Sequence, residues 1–186
     1  MEDVMAGLEA QLIARAESEY KDFVGLVEEI AQLVEAAGYS IVEKNANKPW
    51  GAYLRLDSNQ AGKFIAEFFP GLTLEEARLG METAELSPKF LLVSPGERLS
   101  WQYHHRRAER WRFLTTGAFR QSKTDDESDL KQATAGEVVQ FQKGERHRLE
   151  GLAGKVVLVA EIWQHVDASN PSNEDDIIRL ADDYSR

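Results

Sequence analysis

The chain has 186 residues, of which 42% are hydrophobic and 29% are charged, and it contains no cysteine. This length suits one domain with a substantial core but not two large domains, and the missing cysteines exclude a disulfide scaffold, a thiolate zinc site and a cysteine nucleophile. Because no apolar run approaches the ~20 residues of a membrane span and the N-terminus opens with acidic residues rather than a basic signal region, we expect a cytoplasmic protein with no membrane partner.

The formal net charge of −10 is concentrated at the two ends of the chain. Residues 1–47 hold ten acidic and three basic residues, and residues 167–186 hold six acidic and two basic residues. The stretch between them is close to neutral and contains an arginine-rich segment at 98–112. A surface of this charge should repel a phosphate backbone, so nucleic acid is not an expected partner. A small phosphorylated molecule needs only one or two guanidinium groups and stays open.

The first 38 residues have apolar positions that recur every three or four residues, as they do in an amphipathic helix. Gly38 then stands where a helix C-cap is expected. We therefore interpret residues 1–47 as a helical N-terminal extension that packs either on the main domain or on a second subunit. The same apolar stripe makes a homodimer the expectation for assembly.

Residues 48–186 carry a different pattern, which predicts a β barrel with a C-terminal tail. A helix over 59–69 is expected to stop at Pro70-Gly71, and Thr73-Leu-Glu-Glu76 matches a capping box that would open a short further helix. From Lys89 onward, β-rich runs alternate with glycine-marked turns; the runs are KFLLVS, LSWQY, WRFLTT, AFRQS, EVVQFQ and VVLVAEIWQHV. Many short strands at this spacing favour a mainly β sandwich or barrel.

Two glycine-bounded segments hold the residues best suited to bind a metal. Gln102 and His104 are two positions apart, so on a strand their side chains point to the same face. Glu109 follows a short turn and can return to that face, and His147 follows a glycine turn on a separate hairpin. A mixed set of nitrogen and oxygen donors suits a divalent first-row metal. A single histidine on a strand, however, is more often a structural residue than a ligand.

The same two segments resemble the two motifs of the cupin superfamily. In the first, Gly96 is followed by five residues and then by Gln102, which stands where the motif has its first histidine. His104 and Glu109 follow at the expected positions. The second is represented by Gly136, Gly144 and His147. Departures elsewhere in the motifs affect turn residues. The resemblance implies a double-stranded β-helix, the cupin jelly-roll barrel, preceded by the α-helical extension.

Three runs are similar to type II phosphomannose isomerases in particular: KPWGAY from residue 48, LSWQYHHRRAERW from residue 99 and EDDIIRLADDYSR from residue 174. Glutamine in place of the first histidine is part of that signature. A group of stand-alone bacterial cupins that often carry the name phosphoheptose isomerase shares the middle run. The 47 residues before the first run are too few for the nucleotidyltransferase domain often fused to such isomerases, so GDP-mannose synthesis is not expected of this chain.

This resemblance implies a metal-dependent aldose–ketose isomerase, by default one that converts mannose 6-phosphate to fructose 6-phosphate through a cis-enediol. The metal, expected to be Zn²⁺, would be held by Gln102, His104, Glu109 and His147. Arg107 is the first candidate for contact with substrate oxygens or phosphate. The other candidates are His105 as the proton-transferring base and, as substrate-binding residues at the barrel mouth, Arg179, Lys48 and Trp50.

Two alternatives stay open on the sequence. A non-catalytic cupin would bind a sugar or sugar phosphate for regulation, and the helical extension favours it because the bare isomerase domain lacks one. An isomerase of heptose phosphates is the other alternative. An iron-dependent oxygenase is disfavoured, since Gln102 replaces one of the histidines that such sites use. The remaining conspicuous residues are expected to be structural: Trp101, Trp111, Trp163 and His165.

Overall fold

The computed structural model describes residues 6–185, so the first five residues of the predicted extension lie outside the described chain. The helices are α1 (Leu8–Glu17), α2 (Phe23–Ala36), a 3₁₀ turn (Ser58–Gln60), α3 (Ala61–Phe68) and α4 (Leu74–Arg78). The strands are β1 (Ile41–Lys48), β2 (Gly51–Leu56), β3 (Lys89–Val93), β4 (Trp101–Tyr103), β5 (Arg107–Phe113), β6 (Gly117–Ser122), β7 (Lys131–Ala133), β8 (Val138–Phe141), β9 (Arg146–Glu150), β10 (Val157–His165) and β11 (Ile178–Ala181). No helix in residues 6–185 is long and apolar enough to cross a membrane.

The strands form two antiparallel sheets that face each other. In the described chain one sheet has six strands in the order β1-β2-β3-β10-β5-β8, and the other has five in the order β11-β4-β9-β6-β7. Trp111 and Val159 of the first sheet pack in one cluster with Phe119 and Leu149 of the second. This interior between the sheets confirms the predicted mainly β jelly-roll barrel.

Strands β3 and β10 are buried on both faces, which explains their nearly continuous apolar sequences. Phe90 and Leu158 point to the helices on the outside of the six-stranded sheet, whereas Leu91 and Val159 point to the interior between the sheets. Side chains alternate along a strand, so Glu161 continues the inward-facing row of β10. A carboxyl group therefore lies inside the barrel.

The N-terminal helices form a third layer of the same domain. Leu12 of α1, Ile30 of α2 and Phe64 of α3 belong to one buried cluster with Phe90 of β3, and the rings of Phe64 and Phe90 are 5.3 Å apart. Burial of this apolar surface stabilises the helices on the barrel. The extension thus packs on the main domain, one of the two arrangements that the sequence left open.

The helical prediction for residues 1–47 is wrong in its last part. Helix α2 ends at Ala36, Gly38 follows with a φ of 83°, and Ile41–Lys48 is the edge strand β1, paired with β2. Its side chains mostly alternate between half-buried and exposed, which suits a strand at a sheet edge better than a helix face. The sheet therefore begins before residue 48.

The two predicted helices of the middle region are confirmed with small shifts. Helix α3 ends at Phe68, shortly before Pro70. The capping box at the start of α4 is complete, because the Glu76 main-chain N–H donates to Thr73 Oγ1 at 3.2 Å and Thr73 N–H donates to Glu76 Oε2 at 2.8 Å.

Glycine is required where the β1–β2 hairpin meets β3. Gly51 has a φ of 146°, and a Cβ there would lie 2.0 Å from the Leu92 carbonyl oxygen. The close approach of these backbones fixes the hairpin against the barrel. It also sets Lys48, the last residue of β1, and Trp50, in the turn, at the mouth of the interior cavity.

Candidate metal centre

His104, Glu109 and His147 form one buried group inside the barrel. Their ligand atoms all lie within 4.8 Å of one another. His104 Nε2 is 3.0 Å from Glu109 Oε1, and His147 Nε2 is 3.2 Å from Glu109 Oε2. Glu109 lies on β5 of the six-stranded sheet and His147 on β9 of the other, while His104 directly follows β4. The jelly roll therefore brings together residues that are far apart in the sequence.

Hydrogen bonds on the far side of each imidazole orient both histidines toward Glu109. His104 Nδ1 is 2.6 Å from the Asp176 carbonyl oxygen, and His147 Nδ1 is 3.0 Å from the Glu145 carbonyl oxygen. A carbonyl oxygen only accepts, so each Nδ1 carries the proton and each neutral Nε2 presents a lone pair to the carboxylate. This outer arrangement is the usual one for histidine ligands of metals.

The donor set fits a divalent cation. His147 Nε2 is buried and, among the described residues, has no hydrogen-bond partner of acceptable geometry. Two imidazole lone pairs and a carboxylate that converge without protons between them repel one another, and a cation at their centre removes the repulsion. The buried His–Glu–His group can therefore hold a metal ion.

The charge states at the centre agree with metal binding. Burial lowers the pKa of His104, more than the neighbouring Glu109 carboxylate raises it. Burial would raise the pKa of Glu109, but the adjacent His104 and Arg107 bring it well below the ordinary value. A neutral imidazole and an ionised carboxylate are the forms that bind metals.

Arg107 joins the centre to the C-terminal tail. Its Nε donates to Glu109 Oε1 at 2.9 Å, and its Nη1 donates to Ser172 Oγ and the Asn173 carbonyl oxygen, each at 3.0 Å. Its guanidinium carbon lies 3.9 Å from the centroid of the Trp163 ring. Arg107 is 4% exposed, so it belongs to the wall of the site and not to the surface.

The C-terminal tail folds back over the barrel. Strand β11 pairs with β4, with Arg179 opposite Gln102. The buried Asp176 carboxylate accepts hydrogen bonds from the main-chain N–H groups of His105 and Arg106, at 2.9 and 3.0 Å, and from Ser172 Oγ at 2.6 Å. These contacts fix the turn that carries His104.

One cavity opens beside the His–Glu–His group and is lined by most of the predicted site residues. Its lining includes the predicted residues Gln102, Arg107, Glu109, Lys48, Trp50 and Arg179. Gln102 stands opposite His147 in the β4–β9 register, and its Oε1 accepts a hydrogen bond of 2.6 Å from Ser100 Oγ. His104 and His147 lie behind this surface and are each 1% exposed.

The structure places His105, the predicted proton-transferring base, outside the cavity. Its side chain is exposed, stacks edge-on against the Tyr103 ring at 5.2 Å and is absent from the cavity lining. His104 points inward, and the next residue of an extended chain points the opposite way. His105 therefore does not face the His–Glu–His group.

The structure also adds cavity residues that the sequence did not single out. Glu161 of β10 and Lys89 of β3 are buried, directly paired in the sheet register, and line the cavity. The signal was present, because Glu161 interrupts the apolar run VVLVAEIWQHV on its inward-facing side. Trp111 and Trp163, predicted as core residues, are buried and contribute to the cavity wall. His165 is structural as predicted, since its Nδ1 accepts from Ser172 N–H at 2.9 Å.

The family model described as mannose-6-phosphate isomerase C-terminal matches residues 81–182. Among curated proteins, xanthan biosynthesis protein XanB of Xanthomonas campestris pv. campestris (strain B100) is 27% identical over 188 residues, covering 98% of this chain and 33% of the relative. Alginate biosynthesis protein AlgA of Pseudomonas aeruginosa is 30% identical over 169 residues, covering 90% of this chain and 28% of the relative. The chain thus spans about a third or less of the length of these relatives.

A third curated relative, mannose-1-phosphate guanylyltransferase of Escherichia coli, is 30% identical over 145 residues, covering 78% of this chain and 24% of the relative. Among solved structures, a cupin 2 conserved barrel domain protein from Salinispora arenicola is 17% identical with a TM-score of 0.44, covering 68% of this chain and 83% of that chain.

Proposed function

The chain belongs to the mannose-6-phosphate isomerase C-terminal family, and we propose that it is a metal-dependent aldose–ketose isomerase that converts mannose 6-phosphate to fructose 6-phosphate. The observation that carries the proposal is that Glu109 of the His–Glu–His group also lines a cavity with cationic side chains at its mouth. Such an isomerase needs an electrophile for the developing oxyanion, an anchor for the phosphate and a group that moves a proton.

Zinc is the proposed metal, because imidazole nitrogen and carboxylate oxygen are donors that it takes in catalytic sites. When bound, such an ion supplies a Lewis acid that polarises a carbonyl oxygen and stabilises negative charge on it. Gln102 is the proposed fourth ligand. Its Oε1 accepts one hydrogen bond from Ser100, and a carbonyl oxygen keeps a second lone pair for another partner.

Lys48 and Arg179 are the proposed anchors for the substrate phosphate. Both line the cavity, and within residues 6–185 neither forms an ion pair. Arg179 is exposed, and the Lys48 ammonium lies 5.6 Å from the centroid of the Tyr53 ring. A guanidinium and an ammonium that lack carboxylate partners are suited to a phosphate dianion. Binding there would hold the reacting carbons of the sugar toward the metal ligands.

Arg107 is proposed to position Glu109 and to meet the substrate through one nitrogen. Its Nε and Nη1 are used by Glu109 and the tail. In the described chain Nη2 has only one hydrogen-bond contact, to His104 Nε2 at 3.4 Å. That nitrogen is the part of the guanidinium available to a sugar oxygen. Trp50 is 5% exposed and packs with the interior cluster, so its proposed contribution is an apolar wall.

The proposal is tested by assaying purified protein against mannose 6-phosphate, a heptose phosphate and the corresponding unphosphorylated sugars. The protein is compared as purified, after removal of metal by a chelator and after reloading with Zn²⁺. We expect turnover of the hexose phosphate that the chelator abolishes and Zn²⁺ restores. Tight binding of the sugar phosphate without turnover would instead indicate a non-catalytic cupin, and turnover of the heptose phosphate alone would reassign the substrate.

The anchors are tested by the variants Lys48→Ala and Arg179→Ala, with Lys123→Ala as the matched control. Lys123 is exposed and outside the cavity lining. The two anchor variants are expected to raise KM for the phosphorylated sugar, because a contact far from the reacting carbons is lost, and the control to leave it unchanged.

A homodimer and a cytoplasmic location stay predictions, which gel filtration and fractionation of cells would check.

A further inference from the structure

We infer that Glu161 is the catalytic residue that moves the proton between C1 and C2 of the sugar. The inference rests on the proposed isomerase function. It replaces His105, which lies outside the cavity, with a carboxyl group that faces into it.

Elimination among the acidic side chains of the cavity leads to Glu161. In the described chain the lining holds three carboxyl groups: Glu109, Glu161 and Glu174. Glu109 is occupied by both histidines and by Arg107. The Glu174 side chain is 64% exposed and is paired with Lys89 at 2.8 Å. Glu161 is 5% exposed and is not part of the His–Glu–His group.

The sheet register places Glu161 beside the metal centre and on the same face. Strands β10 and β5 are antiparallel, with Glu161 opposite Trp111 and Trp163 opposite Glu109. Glu161 and Glu109 are therefore diagonal neighbours, a relationship that separates residues by roughly 7–8 Å across a sheet. A sugar whose carbonyl oxygen faces the metal ligands would have its adjacent carbons next to Glu161.

Hydrogen bonding leaves one oxygen of Glu161 available. Trp111 Nε1 donates to Glu161 Oε2 at 2.9 Å, which fixes the orientation of the carboxyl group. The nearest cation to Oε1 is Lys89 Nζ, at 3.9 Å, beyond hydrogen-bonding distance. In the described chain Oε1 thus accepts no hydrogen bond, which leaves it available as a general base.

The charged surroundings of Glu161 allow it both to take and to return a proton. The groups that act on it are Glu109 of β5 and Glu174 of the tail, which are negative, and Lys89 of β3 and Arg107 of β5, which are positive. In the metal-free protein, burial, followed by the Glu109 charge, raises the pKa of Glu161 to about 7. A general base works best when its pKa lies near the operating pH.

The step balances without any further reactant. The Glu161 carboxylate takes the proton from C2 of the aldose, the C2–H electron pair becomes the C1=C2 bond, and the C1 carbonyl pair moves onto O1. The carboxylic acid then returns the same proton to C1 as C2=O forms, and the hydroxyl proton passes from O2 to O1. One hydrogen has moved from C2 to C1 and one from O2 to O1, and Glu161 is again a carboxylate.

The test compares Glu161→Gln with Glu150→Gln in the 186-residue chain loaded with Zn²⁺. Glutamine keeps the acceptor for Trp111 but cannot take a proton. Glu150 is a half-buried carboxylate on β9 that pairs with Arg120, outside the cavity lining. Four quantities are measured: metal per chain, binding of mannose 6-phosphate by calorimetry, turnover, and loss of deuterium from C2 of the C2-deuterated sugar, whether it passes to C1 or to solvent.

We expect Glu161→Gln to keep its metal and its sugar phosphate binding while turnover and deuterium loss both fall by about 10²- to 10⁴-fold. Turnover within tenfold of wild type, or loss of the metal, would overturn the inference, since either makes Glu161 a structural residue. If Glu161→Gln does not fold, Glu161→Asp decides: the inference requires residual turnover whose acid limb lies at lower pH than in wild type. An inactive wild-type protein would refute the proposed function itself, which separates the two failures.

Discussion

His104 Nδ1 lies 2.6 Å from the main-chain oxygen of Asp176. This contact joins a ligand of the candidate metal centre to the C-terminal tail. The buried carboxylate of Asp176 also accepts hydrogen bonds from the main-chain N–H groups of His105 and Arg106. The tail is therefore part of the centre, because it determines which nitrogen of His104 faces Glu109.

Replacement of Asp176 by asparagine is expected to weaken both the fold and the metal centre. The carboxylate now accepts hydrogen bonds from the main-chain N–H groups of His105 and Arg106 and from Ser172 Oγ. An amide has only one accepting oxygen and would turn its NH₂ group toward at least one of these donors, so the free energy of unfolding should fall by about 1–3 kcal/mol. Disturbing the partner of a ligand histidine should weaken metal binding by about 10- to 100-fold. Denaturant unfolding and competition with a metal indicator measure the two effects. The exposed neighbour Asp175 provides the control, Asp175→Asn, and metal affinity equal in the two variants would contradict this role of the tail.

The two histidines at 105 and 147 are expected to behave oppositely. His147→Ala removes a ligand from the buried group, so metal binding and any turnover should be lost. His105→Ala alters an exposed ring outside the cavity, so turnover and metal content should stay within about twofold of wild type, as for ordinary surface changes. Metal analysis and the isomerase assay on both variants check this. A hundredfold loss of turnover in His105→Ala would restore the base role that the geometry removes.

Gln102 is expected to contribute to metal binding as the fourth ligand. Gln102→Ala should lower metal affinity by more than tenfold, whereas Gln102→His should preserve it, since imidazole is also a donor that zinc accepts. Ser100→Ala is the control, because it removes only the hydrogen bond that Gln102 Oε1 now accepts. Isothermal titration with Zn²⁺ gives the affinities. Unchanged affinity in Gln102→Ala would leave the centre with His104, Glu109 and His147 alone.

The metal-free protein is expected to lose stability on acidification through Asp176. Burial would raise its pKa, but the hydrogen bonds from Ser172 and from the two main-chain N–H groups lower it below the ordinary 3.8. An acid with a depressed folded-state pKa stabilises the fold above about pH 4 and loses that contribution as pH falls through the lower value. The stability difference between wild type and Asp176→Asn should therefore shrink as the pH falls below about 4. Denaturant unfolding at several pH values measures it, and a difference independent of pH would contradict the assignment.

Much of the candidate site follows from sequence motifs because they record spacing along strands. Gln102, His104, Glu109 and His147 were each expected at the barrel interior, and Lys48, Trp50 and Arg179 at its mouth. Motifs do not fix the direction of every side chain, however. His104 and His105 differ by one position, and that single step decides which ring is inside.

Other features depend on contacts that no local pattern reveals. Strand β1 is polar and half-exposed, and β11 is exposed along its whole length, so neither carries a strong hydrophobic alternation. Strand β9 includes Arg148, which is 1% exposed. Its two terminal nitrogens donate to Glu127 and to the Ala181 carbonyl oxygen, which come from elsewhere in the chain. Glu161 and Lys89 meet only through the β3–β10 register.

The most direct test is the rate of mannose 6-phosphate isomerisation measured as Zn²⁺ is added stepwise to metal-free protein. The account predicts that the rate rises in proportion to bound metal and stops rising at one ion per chain, and that His147→Ala shows neither binding nor turnover. A rate independent of bound metal, or a fully loaded protein that leaves mannose 6-phosphate unchanged, would contradict it.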